Sequence, residues 1–172
     1  MTRKQAVDFL KTKPYKLGHL LGFTKLTTLH NQWIVDMLKG KEDKTLQSHR
    51  GSYKTTCVSI ALALIIVLLP NQKTLFMRKT DNDIKEVISQ VKKILLSQQM
   101  RYFIKTIYSV DLKLVTSTAN EISTNLSQDI KGTSQLVGLG TGGSLTGKHF
   151  DRIFTDDIVN VQDRISKAER DK

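Results

Sequence analysis

Two short stretches of this chain carry residue types that belong together chemically. The first is Ser48-His49-Arg50-Gly51-Ser52-Tyr53-Lys54-Thr55-Thr56, a polar loop that runs into an apolar segment. The second is Phe154-Thr155-Asp156-Asp157, where a short apolar run ends in two carboxylates. A lysine and a hydroxyl at a helix start, set against acids at a strand end, are what a nucleoside triphosphate with Mg²⁺ requires. The backbone N–H groups and dipole of a helix N-terminus hold phosphate oxygens. In this assignment His49, Arg50, Gly51, Ser52, Tyr53, Lys54, Thr55 and Thr56 form the phosphate loop. Lys54 reaches the β- and γ-phosphates, and Arg50 adds a second positive charge near the γ-phosphate. Thr55 and Asp156 hold Mg²⁺, and Asp157 polarises the attacking water as general base.

The strict phosphate-loop pattern, G-x-x-x-x-G-K-[ST], is not met. Aligned on Lys54 and Thr55, the chain has Ser48 and Tyr53 where glycines are expected. The plain alternative for the loop is a basic turn capping a core helix. For the acids it is a helix N-cap. Asp157 is also one methylene shorter than the glutamate that is usual at that place.

The elements that must position these residues are read from periodicity. Apolar spacing predicts helices over residues 2–10 and 26–38, the latter stopped by Gly40. Residues 45–48 suit a first strand and 54–68 a helix closed by Pro70-Asn71. Residues 73–78 suit a second strand. A helix capped by Thr80 or Asp81 then runs to about 97, with Ile84, Val87, Ile88, Val91, Ile94 and Leu95 on its apolar face. The β-like runs FIKTIYSV, LKLVTST and EISTNLS within 103–126 predict strands and a hairpin. Residues 135–139 and 152–155 read as further strands joined by a glycine-rich mobile loop, and 160–172 as a charged helix. Strands alternating with helices argue an α/β fold with a mostly parallel sheet. In such sheets ligands bind beyond the carboxyl ends of the strands, where both motifs fall.

Composition narrows the partners. Lys and Arg number 27 against 16 Asp and Glu, giving a net charge of +11. That surplus favours a polyanionic partner, either nucleic acid or an anionic membrane, with a merely basic, soluble surface as the plain alternative. The single cysteine, Cys57, excludes an internal disulfide and fits a reducing compartment. The longest apolar run, 57–69, is too short as a helix to span a bilayer and reads as a core helix. His19, His30, His49 and His149 show no metal-ligand spacing. The glycines at 138, 140, 142 and 143 precede the acidic strand instead of following a first strand, which excludes a dinucleotide fingerprint.

Three pieces, in this order, resemble the large subunit of tailed-phage terminases, the motors that package DNA into capsids. Leu29-His30-Asn31-Gln32-Trp33 looks like the element that meets the adenine base. His49 to Thr56 is similar to the variant phosphate loop of that family, with an early arginine and relaxed glycines. Gly147 to Ile158 looks like its acidic strand and lead-in. The resemblance implies a three-layer P-loop NTPase of the additional-strand class, with ATP and Mg²⁺ as ligands. A helical lead-in would occupy residues 1–40 and the ATPase core 41–172. Gln32 would read the adenine edge and Trp33 pack near the base. Arg50 would sense the γ-phosphate, and Arg152, Arg164 or Arg170 would act on a neighbouring subunit. The implied partners are double-stranded DNA, a portal, a small terminase subunit and further copies in a ring, in the host cytoplasm with no membrane. Family members carry a coupling motif and a nuclease domain after the acidic strand. Neither follows Asp157, which implies an excised N-terminal piece or a truncated gene product of such a protein. Two alternatives stand beside this: another nucleic-acid-dependent ATPase such as a helicase half, and a non-enzymatic basic DNA-binding module.

Overall fold

A computed structural model describes residues 1–40, 42–130, 132–144 and 147–157. Its elements are α1 (Arg3–Thr12), α2 (Pro14–Leu20), α3 (Thr28–Lys39), α4 (Lys54–Leu68), β1 (Thr74–Arg78), α5 (Asp81–Leu96), α6 (Gln98–Tyr108), β2 (Leu114–Ser117), β3 (Glu121–Thr124), β4 (Leu136–Gly140) and β5 (Arg152–Thr155). The core is built around α4. Every residue of it from Cys57 to Val67 is buried, as befits a helix that is apolar on all sides. Burial pushes the Cys57 thiol up to about 12, so it stays protonated and inert. At 15 residues, no more than about 22 Å long, α4 is a core helix. No helix among the described residues is long and apolar enough to cross a membrane.

The five strands form one sheet in the order β2-β3-β4-β1-β5. β1 pairs in parallel with β4 and with β5, while β2–β3 and β3–β4 are antiparallel. The sheet is therefore mixed, where a mostly parallel one was expected. Gly138 fixes which face the helices take: a Cβ there would come within 2.4 Å of Ile84 Cγ2 on α5. Phe76 and Phe154 share that face through the register of the parallel pairs, and Phe76 joins α3, α4, α5 and α6 in one apolar core. Ala6, Leu10, Leu17 and Leu26 lie in the same core, so the helical lead-in is packed into the α/β unit.

The opposite face has a different cover. Crossovers between parallel strands are right-handed. The step from β1 to β4 places α5 on one face, so the return step from β4 to β5, in the other direction, belongs on the other. Described residues of the β4–β5 connection do lie there: Gly143 lies against the side chain of Leu139, and Lys148 Nζ reaches Glu121 Oε1 at 3.1 Å. Because this connection is a glycine-rich loop and no helix, the expected third layer is absent among the described residues. Ile153 on β5 is left 63% exposed on that face.

Two further sequence expectations are corrected. Residues 45–48 form no strand, because nothing pairs with them in the described sheet, whose edge on that side is β5. The run FIKTIYSV is helical in α6, apart from its last two residues. Ser97 caps that helix by accepting from the Met100 N–H, and Met100, Phe103, Ile104 and Ile107 bury one face at helical spacing. Tertiary packing here overrides β-propensity. The short helix α2 was not anticipated. The expected helix 160–172, and with it Arg164, Arg170 and Ile158, lies outside the described residues.

Three variants test this architecture. Gly138→Val should lower stability by about 1–3 kcal/mol in urea unfolding through overpacking against Ile84. Gly142→Ala, where an added Cβ meets nothing, should stay within about 0.5 kcal/mol of the parent. Glu121 is held below the usual carboxylate range by the Ser134 hydroxyl, which donates to it, and then by Lys148. A lowered carboxylate stabilises the fold above its unfolded value and loses that effect as pH falls through its folded one. The stability gap between parent and Glu121→Gln should therefore be full at neutral pH and close under acid, read by unfolding midpoints across pH.

Candidate functional site

The carboxyl ends of β1 and β5 and the N-terminus of α4 meet at one point. Asp156 follows β5, and its side chain is only 5% exposed. Lys54, the first residue of α4, places Nζ 3.0 Å from Asp156 Oδ1. Arg78, the last residue of β1, places Nη2 3.2 Å from Asp156 Oδ2. The parallel register that sets Met77 beside Thr155 carries Arg78 and Asp156 forward together, with the Asp156 N–H donating to Met77 O at 2.9 Å. A buried carboxylate needs such compensation. It is incomplete here: Asp156 Oδ2 and Arg78 Nε are buried without an aligned hydrogen bond among the described residues. An orphaned buried polar atom costs about 1–3 kcal/mol, and its position at strand carboxyl ends marks a place where a ligand can supply the missing partner.

The cluster opens into a groove of about 560 Å³ bounded by Trp33, residues 42–46, Lys54 and the β5 segment through Asp157. A larger hollow of about 740 Å³, between Phe23 and α5, contains none of these groups. Asp157 is exposed and adopts a left-handed backbone, φ 49°, a conformation that Asp tolerates. It lines the groove.

The loop before α4 is tied from two sides. Ser52 is buried, and its hydroxyl donates to Ser48 Oγ at 2.7 Å. His30 on α3 accepts from the Thr27 N–H at Nδ1, 2.9 Å, so its proton sits on Nε2, which donates to Ser52 O at 3.1 Å. The same ring meets Tyr53 and Trp33 edge-on. Tyr53 itself has φ 58° and Gly51 φ 82°. The residue before the lysine thus takes the left-handed conformation for which glycine is the usual choice. A bulky side chain there is strained by roughly 1–2 kcal/mol.

The predicted residues divide as follows. Lys54 and Asp156 are brought together, with Asp157 on the same groove. Thr55 and Thr56 lie half-buried in the first turn of α4. His49, Arg50, Gly51 and Tyr53 are exposed on the loop. Gln32 is exposed and is not among the groove's lining residues, whereas Trp33 is. Arg152 is engaged within the chain: Nη1 donates to Met37 O and Nε to Gln72 Oε1, at 2.9 and 2.7 Å. It fastens α3 to β5. Sequence reasoning missed Arg78 and His30. A charged residue ending an apolar strand was the available signal for Arg78. His30 lay inside the element singled out, where Gln32 and Trp33 drew the attention.

The residues present suit Mg²⁺. That ion is generally held by one or two carboxylates plus substrate phosphates and water. Asp156 offers an oxygen with no aligned hydrogen bond, and Thr55 offers a hydroxyl in the first helical turn. Among the described residues no group of three or more acids, histidines or cysteines forms a self-contained metal cage. Compared with protein-family models, with curated proteins and with solved structures, the chain finds no match in any of the three.

The strain at Tyr53 is open to test. Tyr53→Gly should leave stability unchanged or raise it by up to about 1 kcal/mol, the relief of strain offsetting glycine's entropy. Tyr53→Val, β-branched and ill-suited to positive φ, should lower it by about 1–2 kcal/mol. Chemical unfolding of the pair decides; a glycine variant much weaker than the parent would contradict the strain.

Proposed function

We propose that this chain binds ATP with Mg²⁺ and hydrolyses it, as the ATPase portion of a DNA-packaging motor of the terminase large-subunit type with a P-loop core. The observation that carries the nucleotide reading is the meeting of Lys54 with the buried Asp156 at the N-terminus of a core helix and the carboxyl ends of parallel strands. A helix N-terminus and a lysine suit phosphate, and a buried acid beside them suits the metal that accompanies it. The DNA-packaging part rests on the sequence resemblance and on the net charge of +11. Double-stranded DNA, a portal, a small subunit and a ring of copies within the host cytoplasm belong to that part of the proposal.

In this reading the loop 48–53 lays its backbone along the phosphates, and His30 holds the loop by its bond to Ser52 O. Lys54 leaves Asp156 Oδ1 for the β- and γ-phosphates, and Arg50 approaches the γ-phosphate from the exposed side. Asp156 and Thr55 would hold Mg²⁺, which would supply positive charge to neutralise the phosphates. Asp157, on the groove, takes the proton of the attacking water. The γ-phosphoryl group passes to that water, and ADP leaves with the cleaved bond's electrons on its β-phosphate oxygen.

Calorimetry with MgATP tests it. The parent should bind, and Lys54→Ala should bind at least about tenfold more weakly, a loss of about 1.4 kcal/mol. DNA binding at fixed salt should persist in the variant. Asp157→Asn should keep MgATP binding and lose turnover. A folded parent that binds DNA but no MgATP would overturn the ATPase reading in favour of a basic DNA-binding module.

A further inference from the structure

Arg78 belongs to neither motif, yet it is the second cation on Asp156. The carboxylate has two oxygens. Lys54 Nζ stands 3.0 Å from one and Arg78 Nη2 3.2 Å from the other. A divalent cation approaching Oδ2 would meet the guanidinium at close range, and like charges there repel strongly in a site of reduced dielectric. Arginine cannot relieve this by losing a proton; it has to move. The way Arg78 is held permits that. Its Nε is buried without a hydrogen bond among the described residues, and its Nη2 contact to Oδ2 is not an aligned one. Arg152 is the contrast within the same sheet, fixed by two good hydrogen bonds.

We propose that Arg78 and the divalent cation of a bound metal–nucleotide compete for Oδ2 of Asp156, and that the displaced guanidinium pairs with the nucleotide's phosphate oxygens. The inference rests on the reading of the groove as a nucleotide site and adds a positioning residue to it. A planar guanidinium fork matches phosphate geometry, so one side chain links the arrival of the metal to the grip on the phosphate. No bond is made or broken in this exchange. The Asp156 carboxylate passes from one cation to another, and Arg78 passes from carboxylate to phosphate.

The competition predicts opposite responses to one substitution. Mn²⁺ alone, followed by electron paramagnetic resonance on the full chain, should bind Arg78→Gln about tenfold more tightly than the parent. MgATP, followed by calorimetry, should bind the same variant about tenfold more weakly. Arg78→Lys keeps the charge and loses the fork. It should match the parent for Mn²⁺ and be weaker for MgATP, and it carries the test if the glutamine variant fails to fold. Affinities for Mn²⁺ and MgATP that fall together in a folded Arg78→Gln, or an unchanged Mn²⁺ affinity, would make Arg78 a structural strut and overturn the proposal while leaving the nucleotide site standing. A parent that binds neither Mn²⁺ nor MgATP would overturn both.

Discussion

The rest of the site depends on how one buried carboxylate is compensated. Asp156 lies where solvent cannot stabilise its charge, so the chain must bring cations to it. One comes from the start of α4 and the other from the end of β1. That requirement fixes the height of α4 against the sheet and aligns the carboxyl ends of β1 and β5. The apolar length of α4 supplies the attraction that makes the arrangement affordable. With Cys57 to Val67 all buried, the helix has one position in the core, and Lys54 at its first residue has little freedom to miss Asp156.

A second constraint runs through His30. Its ring caps its own helix at one nitrogen and donates to the carbonyl of Ser52 at the other. The lead-in helices are thereby coupled to the loop that precedes Lys54. The fit is directional, since a neutral imidazole has one donor and one acceptor. A doubly protonated ring could not accept from Thr27, and a glutamine or asparagine in its place would have to span the same two groups with a different shape. Trp33 and Tyr53 flank the ring edge-on, so the groove wall and the loop share one aromatic anchor.

What was legible in the sequence follows from how local each signal is. The bounds of α4 could be read because its apolar run is uninterrupted and its ends are marked by Lys54 and by Pro70. The strands β1, β4 and β5 and the helix α5 were legible for similar reasons. Lys54 and Asp156 could be paired because a helix start and a strand end attract the same ligand. The helix α6 was misread because Phe103, Ile104, Ile107 and Tyr108 suit a strand by type, and only their spacing against the core decides for a helix. The partner of Asp156 on β1 was illegible for a different reason. Arg78 reaches Asp156 through strand register, a relation between distant segments that composition does not encode. That helices cover one face of the parallel strands and a loop the other depends likewise on the β4–β5 connection, and on the handedness rule that sends it to the far side.

Several of the places where the chain breaks local rules lie near one another. A tyrosine sits at positive φ immediately before Lys54. Of the four buried side-chain polar atoms without a hydrogen bond among the described residues, two belong to Asp156 and Arg78. Others lie apart from these: Thr74 Oγ1 and Asn120 Oδ1 are buried without a hydrogen bond among the described residues, Ser109 takes φ 58° after α6, and the β2–β3 register shifts between Leu114 and Thr116. Strain and unsatisfied groups persist only where surrounding structure over-determines them, and they concentrate where a ligand is handled. The groove between α4 and β5 gathers Tyr53, Asp157, Asp156 and Arg78 at or beside it. The buried length of α4 provides the stability against which the local cost is set, and the charges left imperfectly paired are the ones a phosphate and its metal would satisfy.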